Sequence, residues 1–284
     1  MTVHDDATSW LLLYKWRFLQ MKIGFLGAGA MGGAILSGAI EAGVFAPQDV
    51  YVADFSQAIK DKYAAIGCNI CDQNSDLGQA DIVVIALKPQ YAQPAIESLG
   101  TALEGKAAIS IMAGLKAADV RAMISGNVRL LRTMPNTPAL VGAGAFALDA
   151  GTDLTDEEKA FAEKLFGALG IFEWMPEHLI DTATGLSGAG PAYVYMFIEA
   201  LADGGVLEGL PRPTALRLAA QTVFGAAKMV LETGDHPDVL KDRVCSPGGN
   251  TIVGVRTLEE HGFRGACIDT VSKATIRARE LGQK

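Results

Sequence analysis

The stretch from Lys22 to Ile35, KIGFLGAGAMGGAI, constrains the fold more than any other part of the chain. Ile23, Phe25 and Leu26 make a short apolar run that suits a buried parallel strand. Gly27, Gly29 and Gly32 follow at once with G-x-G-x-x-G spacing, and Ala34, Ile35 and Leu36 then begin a helical pattern. In such a strand–turn–helix the first glycine permits a tight turn, the second lets a pyrophosphate approach the backbone, and the third lets the helix pack closely on the strand. The helix start adds free N–H groups and a positive dipole end, so Gly27, Gly29, Ala30, Met31 and Gly32 are expected to hold a dinucleotide. A second strand, Val50–Ala53, ends at Asp54, 22 positions after Gly32. That is close to the ~20 expected of an acid that binds the adenosine ribose.

From Met21 to Met175 strands alternate with helices. Strands are expected at 23–26, 50–53, 82–86, 107–111, 128–132, 143–148 and 171–175, and helices at 30–42, 56–66, 92–99 and 117–124. Thr155 and Glu158 read as a capping box for one more helix running to Leu169. This alternation implies an α/β fold with a Rossmann-type parallel sheet covered on both faces over 21–175. After Glu177 the strand signal ends. Helices are expected at 191–207, 213–233, 238–244, 251–261 and 263–281, an all-helical domain over 176–284. Its long apolar helices have little to cover them, which suits a dimer interface. Residues 1–20, MTVHDDATSWLLLYKWRFLQ, lack a cleavage site and read as a disordered extension before a strand that begins directly after Met21.

The 284 residues carry a net charge of −8 with no basic cluster, which argues against a nucleic-acid partner. No apolar run reaches the ~18 residues a membrane span needs. Cys68 and Cys71 form a C-x-x-C, yet no second pair and no nearby histidine completes a zinc site, so they read as reduced thiols of a cytoplasmic protein. His4, His178, His236 and His261 are scattered and read as surface or capping residues.

Four further segments have the makings of a site. Ala86-Leu87-Lys88-Pro89 ends the third expected strand, at the edge where ligands bind in open α/β sheets; Lys88 either lies along the cofactor or is solvated. Met112-Ala113-Gly114 ends the fourth strand on the same edge. Arg132-Thr133-Met134-Pro135-Asn136-Thr137-Pro138 makes a stiff polar loop that places Asn136 as a candidate for a nicotinamide pocket. The fourth comes as a pair in the helical half: Thr184–Pro191, with Ser187 and Gly188, and Ser246-Pro247-Gly248-Gly249-Asn250-Thr251. Each puts small residues and a proline before a long helix, whose free N–H groups can hold a carboxylate. No Ser-His-Asp set, clustered acid pair or Walker lysine is present in these segments. Hydride transfer needs none of them, only positioning and a proton donor.

These residues resemble those of the pyrroline-5-carboxylate reductases. The resemblance runs from Met21 to the C-terminus and rests on GFLGAGAMG, ALKP, MPNTPALV, LSGAGPAYVYMFIEALADGGV and, above all, LKDRVCSPGGNTIVGVRTLE from Leu240. It implies hydride transfer from NADPH or NADH to the C=N carbon of pyrroline-5-carboxylate, giving L-proline. It also implies that Gly248, Gly249, Asn250 and Thr251 hold the substrate carboxylate, and that the Thr251 hydroxyl serves the ring nitrogen as hydrogen-bond partner and proton relay. A site of N–H groups and a hydroxyl suits an anionic, protonated imine better than a lysine would. The resemblance further implies dimerisation through the helical domain, often with assembly to a decamer.

Two departures from the family pattern matter. Ala189 stands where the family often has serine, which removes a polar contact near the ligand. The family commonly uses NADPH; Ser56 matches a position that contacts its phosphate and Asn74 one that contacts adenosine. Here Asp54 precedes that loop and no arginine is in it, so use of both cofactors is expected. A β-hydroxyacid dehydrogenase would need a lysine base on the helix PAYVYMFIEA, which has none. A non-catalytic nucleotide sensor would have no use for SPGGNT.

Overall fold

The computed structural model describes residues 21–282; the extension expected over 1–20 lies outside the described residues. Four short strands, β1 (Ile23–Leu26), β2 (Val50–Ala53), β4 (Ile82–Ile85) and β5 (Ala107–Ser110), are buried at every position. Strands covered on both faces must be apolar throughout, which is why IGFL, VYVA and IVVI do not alternate with polar residues. With β3 (Asn69–Ile70), β6 (Arg129–Met134), β7 (Gly144–Asp149) and β8 (Gly170–Met175) they form one eight-stranded sheet in the order β3-β2-β1-β4-β5-β6-β7-β8. The run β3-β2-β1-β4-β5-β6 is parallel throughout.

One expectation fails at β7. It runs antiparallel to β6, with Thr133 opposite Leu148. Residues 135–143 hold only a 3-10 turn over Thr137–Val141, too little chain for the crossover of a dozen or more residues that a parallel neighbour requires.

The helices of the sheet region are α1 (Ala30–Glu41), α2 (Gln57–Ala65), α3 (Pro89–Glu97), α4 (Ala117–Met123) and α5 (Asp156–Gly167). The core of one face joins Phe25, Val52, Val84 and Ile109 to Ile35 of α1, Tyr63 of α2 and Phe161, Leu165 and Phe166 of α5. The other joins Leu26, Val83, Ile85 and Ala108 to Ile96 of α3 and Val120 of α4. Thr155 caps α5 and Glu158 reaches back to the Thr155 N–H at 2.9 Å, as the sequence anticipates. The helix ends at Gly167, two residues before Leu169, and Gly170 opens β8.

Strands give way to helices after Met175, where the domain boundary was expected, but the compact units divide later. One runs up to Gly188 and takes in Ala274 onward; the other is Ala189–Lys273. The reason is local: α6 (Ile180–Ala183) and a π-helical turn over Thr184–Gly188 remain tied to β6. The second unit holds α7 (Gly190–Leu207), α8 (Arg212–Thr233), α9 (Pro237–Val244), α10 (Asn250–Glu260) and the first half of α11 (Phe263–Leu281). Its buried core is small, Ala202, Ala215 and Ala219 with Ile198 and Val206 against them. Met196, Leu207, Phe224, Leu231 and Ile268 are left exposed.

Candidate functional site

The glycine turn leaves β1 and enters α1 without a side-chain cap. Gly27 has φ +89°, a left-handed conformation that costs a side-chain-bearing residue energy, and a Cβ there would lie 2.7 Å from the Ala86 carbonyl oxygen. At Gly32 a Cβ would meet the Gly27 carbonyl oxygen at 2.5 Å and the Ala86 Cβ at 2.7 Å, so α1 packs here only on hydrogen. Gly29 is different: it is exposed, and a Cβ would meet nothing within 4 Å. The first and third glycines are demanded by packing, while the second opens on space in front of a helix N-terminus. A pyrophosphate fits that cradle, with the Ala30–Gly32 N–H groups before it.

Two hydrogen bonds join the turn to the end of β2: Gly27 N–H to the Ala53 carbonyl at 2.8 Å, and Ala28 N–H to Asp54 Oδ2 at 2.8 Å. Asp54 Oδ1 accepts the Ser56 N–H at 2.9 Å. The acid expected at the ribose is therefore at the predicted edge, and it also braces the glycine turn. Asn74 is elsewhere engaged. Its amide donates to Ser98 Oγ at 2.8 Å and more weakly to the Ala95 carbonyl, at the opposite end of α3 from Lys88.

At the exit of β4, Ala86 N–H donates to the Leu26 carbonyl at 2.9 Å, which sets Ala86 and Leu87 beside the glycine turn. Lys88 is exposed at the N-cap of α3, and Pro89 opens that helix at the position where its missing N–H costs nothing. After β5, Met112 turns its side chain into the core, Ala113 is exposed, and Gly114 lies against the backbone of Gly282 at the end of α11.

The exit of β6 carries a pattern that local sequence does not reveal. Arg132 and Met134 on the strand and Asn136 just beyond it, each two residues apart, all reach the segment 177–188. Arg132 is 3 % exposed and donates to Asp181 at 2.7 Å and to Glu177 at 3.4 Å. The Met134 Cε lies 3.1 Å from where a Cβ on Gly188 would be. Asn136 donates to the Ser187 carbonyl and accepts the Ala145 N–H. The stiff loop and the first glycine-rich junction, two motifs in the sequence, are thus one piece of structure. The junction is not a bare helix start either: it is π-helical, Ser187 Oγ donates back to the Ala183 carbonyl at 2.9 Å, and Ala189 is already helical. Single π turns of this kind recur at functional sites.

In the second unit, Gly248 has φ +67° and Gly249 is the extended N-cap of α10, with no side chain capping the helix. Gly249 N–H donates to the Ser246 carbonyl at 3.0 Å, and a Cβ on Gly249 would collide with Ser246 Oγ. The loop thereby presents the first turn of α10, Asn250 and Thr251 included, with backbone N–H groups open to an anion.

Cys68 and Cys71 flank β3 and enter opposite cores, Cys68 on one face of the sheet and Cys71 on the other, so they do not share a site. Burial pushes both thiols up to about 11, with Asp76 adding to the effect at Cys71. His236 caps α9 through Nδ1, accepting the Asp238 N–H. Among the described residues no group of three or more His, Cys, Asp or Glu could hold a metal ion, and no helix is long and apolar enough to cross a membrane. Two residues with a bearing on the site escape a motif-based reading. Asp181 pairs with Arg132 from 49 positions away with no local signal, and Phe55, between Asp54 and Ser56, is visible in the sequence only as a large apolar residue in a loop.

Residues 177–281 match the family described as pyrroline-5-carboxylate reductase dimerisation, and residues 22–114 match NADP oxidoreductase coenzyme F420-dependent. The chain is similar to the pyrroline-5-carboxylate reductase of Arabidopsis thaliana, 44 % identical over 93 % of this chain and 96 % of that protein. It is similar also to that of Escherichia coli, 41 % identical over 93 % of this chain and 100 % of that protein. Among solved structures, Plasmodium falciparum pyrroline carboxylate reductase with NADP bound superposes with a TM-score of 0.84 at 33 % identity, over 93 % of this chain and 99 % of that one.

Proposed function

The chain belongs to the pyrroline-5-carboxylate reductase family, and from that premise we propose how its residues share the reduction of pyrroline-5-carboxylate to proline. The observation that carries the reading is the uncapped, glycine-shaped start of α10 at Gly248–Thr251, a carboxylate cradle without a cationic side chain. Gly248 and Gly249 shape the cradle, the free N–H groups of Asn250 and Thr251 hold the substrate carboxylate, and the Thr251 hydroxyl hydrogen-bonds the ring nitrogen and relays its proton. Ser187 and Gly188 complete the substrate contacts from the π-helical turn. A lysine in this place would oppose the protonated imine that the reaction needs, whereas fixed dipoles stabilise the carboxylate without that penalty.

The nicotinamide dinucleotide, when bound, supplies the hydride. Gly27, Gly29, Ala30, Met31 and Gly32 hold its pyrophosphate. Asp54 and Ser56 line the adenosine end, where Asn74 belongs by resemblance alone since its amide nitrogen is bonded to Ser98, and Ala86, Leu87, Lys88, Pro89, Met112, Ala113, Gly114 and Asn136 line the path toward the nicotinamide. Use of a nicotinamide cofactor is supported by the NADP oxidoreductase match and by the NADP-bound relative. Service by both NADH and NADPH is our finer reading: Asp54 accepts from a free 2′-hydroxyl and repels a 2′-phosphate, while Ser56 offers a neutral contact to either.

The protein works as a homo-oligomer, since residues 177–281 form a dimerisation domain whose apolar helices are uncovered in one copy; a decamer and a cytoplasmic location belong to the same reading. The test is oxidation of NADH and of NADPH with pyrroline-5-carboxylate, on the wild type and Thr251→Ala. Loss of a catalytic donor is expected to lower turnover by ~10²-fold. Binding of either cofactor without any turnover in the wild type would return the chain to a sensor.

A further inference from the structure

Phe55 carries a ring that is 96 % exposed on backbone held from both sides. Asp54 before it accepts from Ala28 and Ser56, and Ser56 after it is the N-cap of α2. A phenyl ring left in water forgoes the burial that aromatic side chains otherwise gain. The fold does not call for it, because α2 is anchored to the core by Tyr63. Its place is specific. The glycine turn is bonded to the end of β2 through Ala53 and Asp54, and Phe55 is the next residue outward from that join.

In a sheet of this order a dinucleotide lies across the carboxyl edge, with its pyrophosphate at the helix after β1 and its adenosine toward β2. We propose that Phe55 forms one wall of the adenine pocket, stacking its ring face on the purine. Each Asp54 oxygen accepts one backbone N–H and keeps a lone pair for the ribose, so the stack adds an adenine contact to the ribose contact this loop already offers. A purine face is the same whatever its ribose carries, so Phe55 strengthens NADH and NADPH alike and leaves the choice between them to Asp54 and Ser56. The inference rests on the dinucleotide reading above.

The experiment titrates NADH, NADPH and ADP against the wild type, Phe55→Ala and Phe55→Trp, reading nucleotide fluorescence for the reduced cofactors and calorimetry for ADP. Phe55→Ala is expected to weaken all three by about tenfold and Phe55→Trp to restore them, while reduced nicotinamide mononucleotide, which lacks adenine, binds every variant alike. Equal ADP affinity in the wild type and Phe55→Ala overturns the proposal, and so does a wild type that does not bind ADP. A variant changed only in its mass by light scattering also overturns it, assigning the ring to a second copy of the chain. Because the titration needs no turnover, a protein that binds dinucleotide through Phe55 but does not reduce pyrroline-5-carboxylate would sink the functional reading and leave this one standing.

Discussion

Asn136 donates its side-chain amide to the Ser187 carbonyl at 3.1 Å while its own oxygen accepts the Ala145 N–H at 2.9 Å. The two bonds fix the amide's orientation, since only the nitrogen can donate to Ser187 and only the oxygen can accept from Ala145. One side chain, 7 % exposed as a residue, therefore ties the β6–β7 turn to the π-helical turn that carries Ser187 and Gly188.

Asn136→Ala removes both bonds and leaves the Ala145 N–H to find water or go unpaired. The expected cost is about 1–3 kcal/mol in urea denaturation. Asn136→Asp keeps the acceptor but turns an oxygen on the Ser187 carbonyl, and is expected to cost at least as much. In both, KM rises for the imine substrate and for the cofactor, because the loosened element carries Ser187 and Asn136 itself lies on the path toward the nicotinamide. A wild-type midpoint for Asn136→Ala would remove the tie from the account.

The glycine turn offers a cleaner separation of binding from folding. Gly29→Ala places its methyl in open space, so stability is expected to change by no more than the ~0.5 kcal/mol of ordinary surface substitution. Dinucleotide affinity should nevertheless fall at least tenfold, since that space is where the pyrophosphate goes. Gly32→Ala drives a methyl into the Gly27 carbonyl and Ala86 and is expected to cost about 1–3 kcal/mol as overpacking. Thermal melts with and without NADPH read both effects, and a Gly29→Ala protein that binds NADPH normally would move the pyrophosphate elsewhere.

Much of the fold was legible because its signals are local. Buried parallel strands announce themselves as short apolar runs, and IGFL, VYVA and IVVI are found where expected. The two-residue β3 has too little sequence to show a period, and β7 was expected as a strand but not as an antiparallel one, because alternation reports strands and not their direction. The segment after Met175 was placed in the helical domain because the strand signal ends there, while its bonds to Arg132 and Asn136 keep it with the sheet. At the site, the glycine spacing was informative because each glycine answers a short-range steric demand. Asn136 read only as polar and rigid; its partners Ala145 and Ser187 are set by tertiary structure, to which local pattern is blind.

Arg132 is the charge on which that tertiary link depends. It is almost wholly buried, and Asp181 and Glu177 are its partners, Glu177 in turn accepting the Ala117 N–H at 2.7 Å. Arg132→Met should destabilise the protein by about 3–5 kcal/mol, chiefly by leaving Asp181 poorly solvated without a cation. Adding Asp181→Leu is expected to recover part of the loss, a coupling that a double-mutant cycle in denaturant measures. Strict additivity of the two changes would show that the pair does not interact in the folded state.

Two buried carboxyls should respond to acid with opposite signs. Burial raises the Glu158 carboxyl, but the Arg129 guanidinium, at 2.6–3.1 Å, and the Thr155 N–H outweigh it and hold the group below its usual range. A lowered folded value means stability that is present above the unfolded pKa and lost as pH falls through the folded one. Asp149 is the reverse. Burial holds it above its usual range, helped by Glu177 and opposed by the Gly151 N–H, Arg132 and Arg121. Its contribution is present below the unfolded pKa and lost as pH rises through the folded value. At neutral pH Glu158→Gln is therefore expected to cost about 1.5–3 kcal/mol, the scale of a hydrogen bond to a charged group. Asp149→Asn, which keeps an acceptor for Gly151, should be neutral or stabilising. Both differences from the wild type shrink as the pH is lowered through the carboxylate range, one from below and the other from above. Denaturant midpoints measured from neutral pH downward give the two slopes, and a Glu158→Gln deficit that stayed constant into acid would mean that its value lies in packing and not in charge.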